Sequence, residues 1–131
     1  MASTDYSQKI DPLREQCAVK ATLDVIRGRW KPLILWELSQ GVQRFSDLQA
    51  ELSGVTAQAL TVQLRQLEAD GVVKRTVYPE VPVRVEYELT PEGGQLSGVM
   101  AELEKWGIGY LKRQGVARAA ECMRGSGEHL S

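Results

Sequence analysis

Apolar residues recur along this chain with two different periods, and the change of period divides it. From Cys17 to Arg27, Val19, Leu23 and Ile26 fall at i, i+4 and i+7, which predicts a helix with one apolar stripe ended by Gly28. The next segment, WKPLILWELSQG, is apolar on almost every side through Trp30, Leu33, Ile34, Leu35, Trp36 and Leu38, which places a helix in the middle of the fold. Pro32 lies in its first turn, where a missing N–H loses no hydrogen bond, and Gly41 closes it. A third helix is predicted to open at Phe45-Ser46-Asp47-Leu48-Gln49. There Ser46 and Gln49 fit a capping box, Phe45 a hydrophobic staple, and Leu48 and Leu52 the inward face.

Ser53-Gly54-Val55 leaves a very short break before the stretch from Thr56 to Gly71. In that stretch Leu60, Leu64 and Leu67 form one helical stripe, Thr56 can cap the start, and Gly71 suits the left-handed end. Two helices joined this closely through glycine predict a helix-turn-helix. The outer face of the second helix carries Gln58, Thr61, Val62, Arg65 and Gln66, with little charge. Alone, that composition fits either a solvated outer surface or a contact face.

After Gly71 the period drops to two. VVKRTVY is β-branched, and VRVEYEL alternates Val83, Val85, Tyr87 and Leu89 against Arg84, Glu86 and Glu88. Pro79 and Pro82 between them exclude a central strand, so a hairpin with a projecting tip is expected. Thr90-Pro91-Glu92 then opens a last helix. Its positions Leu96, Val99, Leu103, Trp106 and Tyr110 run at three, four, three, four, a narrow seam of the coiled-coil type. Gly98, Gly107 and Gly109 each weaken it by about 1 kcal/mol relative to alanine, so it needs a partner surface. That surface is either its own domain or, because the central helices already fill the core, a second copy of the chain. The expected fold class is mainly α with a β-hairpin (α+β). Residues 1–14 form an N-terminal extension, 15–114 the single domain, and 115–131 a tail that is helical at first and then frayed.

Composition narrows the function. The chain has 131 residues, 43% hydrophobic and 25% charged, as an ordinary soluble domain does. No apolar run approaches a membrane span and the first residues lack a signal core, so a cytoplasmic, membrane-free protein is expected. A net charge of −1 argues against holding nucleic acid by bulk charge, but leaves room for a basic face. The single histidine, His129, and the two distant cysteines, Cys17 and Cys122, make no metal site and no acid–base pair. No catalytic residue, metal or cofactor is expected, and nothing names a small-molecule effector.

The order helix, helix, helix-turn-helix, hairpin, helix is that of a winged helix. Particular segments go further. Cys17-Ala18-Val19, Ala21-Thr22-Leu23-Asp24-Val25-Ile26, Gly28-Arg29-Trp30-Lys31-Pro32-Leu33-Ile34-Leu35, Arg44-Phe45, Leu60-Thr61, Gln63-Leu64-Arg65 and Leu67-Glu68-Ala69-Asp70-Gly71 resemble the HxlR-type bacterial transcriptional regulators. So do Tyr78-Pro79-Glu80-Val81-Pro82, Arg84-Val85-Glu86-Tyr87 and Leu89-Thr90-Pro91, and the resemblance covers roughly Cys17 to Gln114. Ala18 departs from the proline that usually follows the N-terminal cysteine. Ala57, Gln58, Ala59 and Val62 stand where the family often has a long polar residue, so no relative's base preference carries over.

The resemblance implies a homodimeric winged-helix repressor or activator that binds a double-stranded operator, with the N- and C-terminal helices forming the interface. In that frame Thr56, Gln58, Thr61, Val62 and Arg65 are the candidates to read the major groove. Gln58 has the donor and acceptor for adenine, Val62 or Ala59 a surface for a thymine methyl, and Arg65 a fork for phosphate or guanine. Arg84, read as an isolated arginine on the tip, is the candidate wing contact. Arg29, Lys31 and Arg44, with Arg27, are candidate phosphate clamps, although some can serve only to neutralise neighbours such as Asp24. Leu96, Val99, Leu103, Trp106 and Tyr110 are the candidate dimer seam. Cys17, at a helix N-terminus near Arg14 and Lys20, is either a thiol of raised reactivity or a small apolar interface residue. Some relatives sense oxidants or electrophiles with a cysteine there, which makes redox sensing the implied role. The alternative to DNA binding is a winged-helix protein-interaction module, for which near-neutral charge is natural. The two differ in whether Arg29, Lys31, Arg44, Arg65 and Arg84 line one face.

Overall fold

The computed structural model describes residues 17–115; the proposed extension, the tail, Arg14, Cys122 and His129 lie outside them. Among the described residues five helices and three short strands are arranged in the order α1 (Ala18–Ile26), α2 (Lys31–Ser39), β1 (Gln43–Arg44), α3 (Phe45–Glu51), α4 (Ala57–Ala69), β2 (Val73–Tyr78), β3 (Arg84–Leu89) and α5 (Pro91–Arg113).

The core forms where the apolar stripes of α2, α3 and α4 meet. Ile34, Leu35, Leu48, Leu60, Leu64 and Leu67 are almost wholly excluded from solvent, and Leu38, Val72, Val73, Tyr87 and Met100 close the cluster. Burial of side chains of this size contributes about 1.5–3 kcal/mol each, which makes this cluster the main support of the helix-turn-helix. Trp30, Leu33 and Trp36 pack around it from the other sides of α2, so that helix is central as its composition implied.

The turn between α3 and α4 runs through Gly54 at φ +91°, a backbone region that side chains with a Cβ rarely enter. Thr56 caps α4, accepting the Ala59 N–H at 3.0 Å. The expected capping box at the start of α3 does not form. The helix begins two residues earlier than that box requires, at Phe45 with Arg44 as the cap residue, so Ser46 is already inside the first turn. Gln49 instead donates to the Val55 carbonyl at 3.5 Å, across the turn.

The hairpin pairs β2 with β3 antiparallel from Val73↔Leu89 to Tyr78↔Arg84 and leaves residues 79–83 as its tip. The sheet has a third strand that the hydrophobic pattern does not show. β1 adds to the other edge of β3 through Gln43↔Tyr87 and Arg44↔Glu86, in the order β1-β3-β2.

Thr90 ties α5 to this sheet. Its hydroxyl donates to the Gly71 carbonyl at 2.7 Å and accepts the Gly93 N–H at 3.0 Å, so the end of α4 and the start of α5 share one side chain. A Cβ on Gly93 would lie 2.0 Å from the Val72 carbonyl oxygen, so only glycine fits this crossing.

The stripe of α1 divides. Ile26 is buried, whereas Val19 and Leu23 are exposed at 67% and 54%. The α5 seam divides likewise. Leu96 packs on the domain's own core, while Val99, Leu103, Trp106 and Tyr110 remain exposed. Trp106 and Tyr110 stack on one another at 5.3 Å.

Candidate nucleic-acid interface

α4 stands on the core through Leu60, Leu64 and Leu67, and this fixes what it shows to solvent. Thr56, Ala57, Gln58, Val62 and Arg65 are exposed; Thr61 is half-buried. Thr61 also donates its hydroxyl to the Ala57 carbonyl at 2.8 Å, so it keeps acceptor capacity but has spent its one donor inside the helix. Gln58 and Arg65 retain side-chain donors toward solvent.

The basic residues trace a path around α4. Arg65 lines a cleft of about 240 Å³ together with Arg27, Lys31, Asp24, Gln66, Ala69 and Asp70. It also lines a cleft of about 350 Å³ on the sheet side with Phe45, Thr61, Glu68 and Arg75. Phe45 in turn borders a third cleft, under the wing, that contains Arg44, Glu80 and Arg84. The acids Asp24, Asp70, Glu68 and Glu80 are interleaved along this path, which explains how a chain of net charge −1 can still present cations on it.

Individual positions differ from the sequence reading. Lys31 is only 3% exposed, which leaves it no surface for a direct clamp on a phosphate. Burial lowers its pKa, the nearby Arg27 lowers it further, and Asp70 acts in the opposite direction. Arg27 Nε is itself buried with no hydrogen-bond partner among the described residues. Arg29 is exposed and lies over the Trp30 ring, 4.9 Å from its centroid.

Arg84 is not isolated. Its Nε and Nη2 donate to the two carboxylate oxygens of Glu80 at 3.3 and 2.8 Å, and Nη1 donates to Glu86. Its guanidinium also covers the Tyr78 ring at 3.9 Å. The Arg84 hydrogen bond holds the Glu80 carboxyl below its usual range and, reciprocally, raises the pKa of Arg84. The alternation of β3 already put Glu86 on the face of Arg84, whereas the contact with Glu80 depends on how the tip folds back on the strand.

Arg75 was missed by sequence reasoning. It lies in β2 opposite Tyr87, exposed, and borders the same cleft as Arg65. The reading of VVKRTVY as a β-branched strand beside the wing was the signal that could have pointed to it.

Cys17 is the exposed N-cap residue of α1, whose side chain makes no capping hydrogen bond. Among the described residues no group of histidine, cysteine and acidic side chains has the arrangement of a metal site.

A helix-turn-helix whose second helix is exposed along one face, with a hairpin directly behind it, defines a winged helix-turn-helix protein. Comparison with known proteins carries this further. The model of the HxlR-like helix-turn-helix family matches residues 25–115, and the chain belongs to that family. It is similar to the HTH-type transcriptional regulator YtcD of Bacillus subtilis (strain 168), at 47% identity over 96 residues, spanning 73% of this chain and 76% of that protein. Among solved structures it resembles the redox regulator HypR in its reduced form, with a TM-score of 0.69 and 41% identity over 71% of this chain and 92% of that one. It also resembles the reduced transcriptional regulator YodB from B. subtilis, with a TM-score of 0.65 and 29% identity over 76% and 98% of the two chains. The protein is therefore a DNA-binding transcriptional regulator of the winged-helix type and not an enzyme. No helix among the described residues is long and apolar enough to cross a membrane.

Proposed function

We propose that the protein is a homodimeric, sequence-specific regulator that lays α4 in the major groove of its operator and sets the hairpin beside it. The observation that carries this is α4 itself. Its leucine face is sealed in the core while Thr56, Gln58, Val62 and Arg65 stand uncovered on the opposite side, in the arrangement a recognition helix requires. Arg44 and Arg84 at the wing, and Arg29 at the start of α2, supply the backbone contacts in this reading; Thr61 joins as an acceptor. Of the five cations whose common face would mark a DNA surface, Arg65, Arg44 and Arg84 border linked clefts, whereas Lys31 is buried and Arg29 lines none of these clefts. The linked clefts, with Arg75 added, support DNA over a protein-interaction module.

The dimer reading rests on Val19, Leu23, Val99, Leu103, Trp106 and Tyr110. They are too many large apolar side chains on two helices to be left in water without a partner. A second copy meets them with the same surface, as a two-fold interface does. A cytoplasmic location is consistent with this role.

Cys17 is the redox element of the reading. It is exposed beside that face, and one of the similar structures is described as a redox regulator. Oxidation would take two electrons and two protons from a pair of thiols to form a disulfide, or from one thiol and water to form a sulfenic acid. Either product at the interface changes the spacing of the two recognition helices.

The test is selection of duplexes from a random pool, then fluorescence anisotropy at ~150 mM salt. The expected result is at least ~10³-fold preference for the enriched duplex, lost on diamide treatment and retained by Cys17→Ser under the same treatment. Equal affinity for enriched and scrambled duplexes would overturn sequence-specific binding. Diamide sensitivity that survives Cys17→Ser would overturn the role of the thiol.

A further inference from the structure

We infer that Glu80 is a specificity-determining residue: it holds the wing arginine, Arg84, away from DNA phosphates until a matched site is docked. This rests on the DNA-binding reading above and adds a residue to which that reading gives no role.

The geometry is specific. A guanidinium presents two donor edges to a bidentate acceptor, and on Arg84 the Nε/Nη2 edge is filled and the other is engaged through Nη1. Glu80 takes the Nε/Nη2 edge through both carboxylate oxygens, Glu86 takes Nη1, and Tyr78 covers one face. Three of its five N–H donors are engaged, and a phosphate takes Arg84 bidentately through the Nε/Nη2 edge only by displacing Glu80. The two carboxylates are not equally able to leave. Glu86 sits within β3, flanked by Arg44 of β1 and Thr76 of β2, and its side chain is 21% exposed. Glu80 stands on the hairpin tip with its side chain 52% exposed. Arg44 lines the same cleft and gives the displaced Glu80 carboxylate a second cation.

Non-specific binding is governed by the number of phosphates neutralised, so a caged Arg84 subtracts one contact from it. On a matched site the base contacts of α4 hold the wing in register against the backbone and offset the exchange. Glu80 thus weakens the wrong complexes more than the right one, a discrimination achieved by penalising competitors.

The experiment compares wild type, E80Q, E80A, R84A and E80Q/R84A. Affinities are measured by fluorescence anisotropy on a duplex enriched by the wild type and on its scramble, from ~50 to ~300 mM salt. E80Q and E80A are expected to tighten binding to the scramble about 3–10-fold and to steepen its salt dependence by ~0.9, the value of one phosphate. They tighten the enriched duplex less, so the specificity ratio falls, and the gain disappears when Arg84 is also removed. Weaker binding of E80Q and E80A to both duplexes would overturn the inference, because Glu80 would then be a structural staple of the wing. So would an equal gain in the R84A background, where only a nearby negative charge has been removed. A wild type that does not distinguish the two duplexes overturns the functional reading itself, a result separable from these.

Discussion

α2 and α5 are both written with abundant apolar residues, yet the fold treats them differently. α2 is nine residues long, and Ile34, Leu35 and Leu38 are sealed by α3, α4, the sheet and α5. α5 is 23 residues long, and only Gly93 and Met100 are buried in it. A helix of that length spans about 35 Å and outruns the domain it packs on. In its far half Leu103, Trp106 and Tyr110 are therefore left exposed among the described residues, while Glu104 and Ile108 are half-buried. The lesson is that an apolar stripe states a need for a partner, while helix length relative to the core decides whether the same chain supplies it. α4 combines both conditions on one helix, with a sealed leucine face and an open polar one.

This contrast can be broken experimentally. The largest effect is expected in α2. Leu35→Ala opens a cavity at a site 1% exposed and should lower the unfolding free energy by about 2–5 kcal/mol in urea titration. A loss under ~1 kcal/mol would mean the centre of the fold has been misplaced. On α5, Trp106→Asp should leave most of the monomer's helical circular dichroism and shift sedimentation from dimer to monomer, with dimer affinity weakened by about 2 kcal/mol or more. A dimer unchanged at micromolar concentration would separate α5 from assembly.

On α4, Gln58→Ala should keep stability within ~0.5 kcal/mol, because the side chain is exposed. It should relax base preference at one position of the enriched duplex by about 1–3 kcal/mol. An unchanged preference profile would remove Gln58 from base readout.

The smallest effect belongs to Glu37, a buried acid on α2 whose pKa is raised by desolvation and, secondarily, by Glu51. A carboxyl with a raised folded pKa binds its proton more tightly when folded. Its contribution thus favours the folded state below the ordinary carboxylate range and is lost as pH rises through the folded value. Glu37→Gln should accordingly stabilise the protein at pH 7, within the ~1 kcal/mol of a typical single substitution, with the gain vanishing in acid. A gain that persists unchanged in acid would contradict this linkage.

Much of this architecture is legible in the sequence for a local reason. The leucine stripe of α4, the glycine at 54, the Thr56 and Thr90 caps and the alternation of β3 each act within a few residues, where spacing alone determines geometry. The capping box at Ser46 failed because the strand entering a helix, as well as the cap chemistry, selects where that helix begins. Here β1 runs directly into α3 and shifts its start to Phe45. β1 itself is a dipeptide, too short for any period, and exists only because β3 offers an open edge at Tyr87 and Glu86.

The candidate site divides along the same line. The helix that presents Gln58, Val62 and Arg65 was determined by the sequence, since burying Leu60, Leu64 and Leu67 forces those residues outward. What only the tertiary structure decided is the state of the charges around it. Lys31, written among basic residues at a helix start, is enclosed in a cleft with Arg27 and Asp70, and Arg84 is shared between Glu80 of the hairpin tip and Glu86 of its own strand. Electrostatic partners are chosen by distance in space, and a linear pattern records charge without recording which opposite charge the fold will bring beside it.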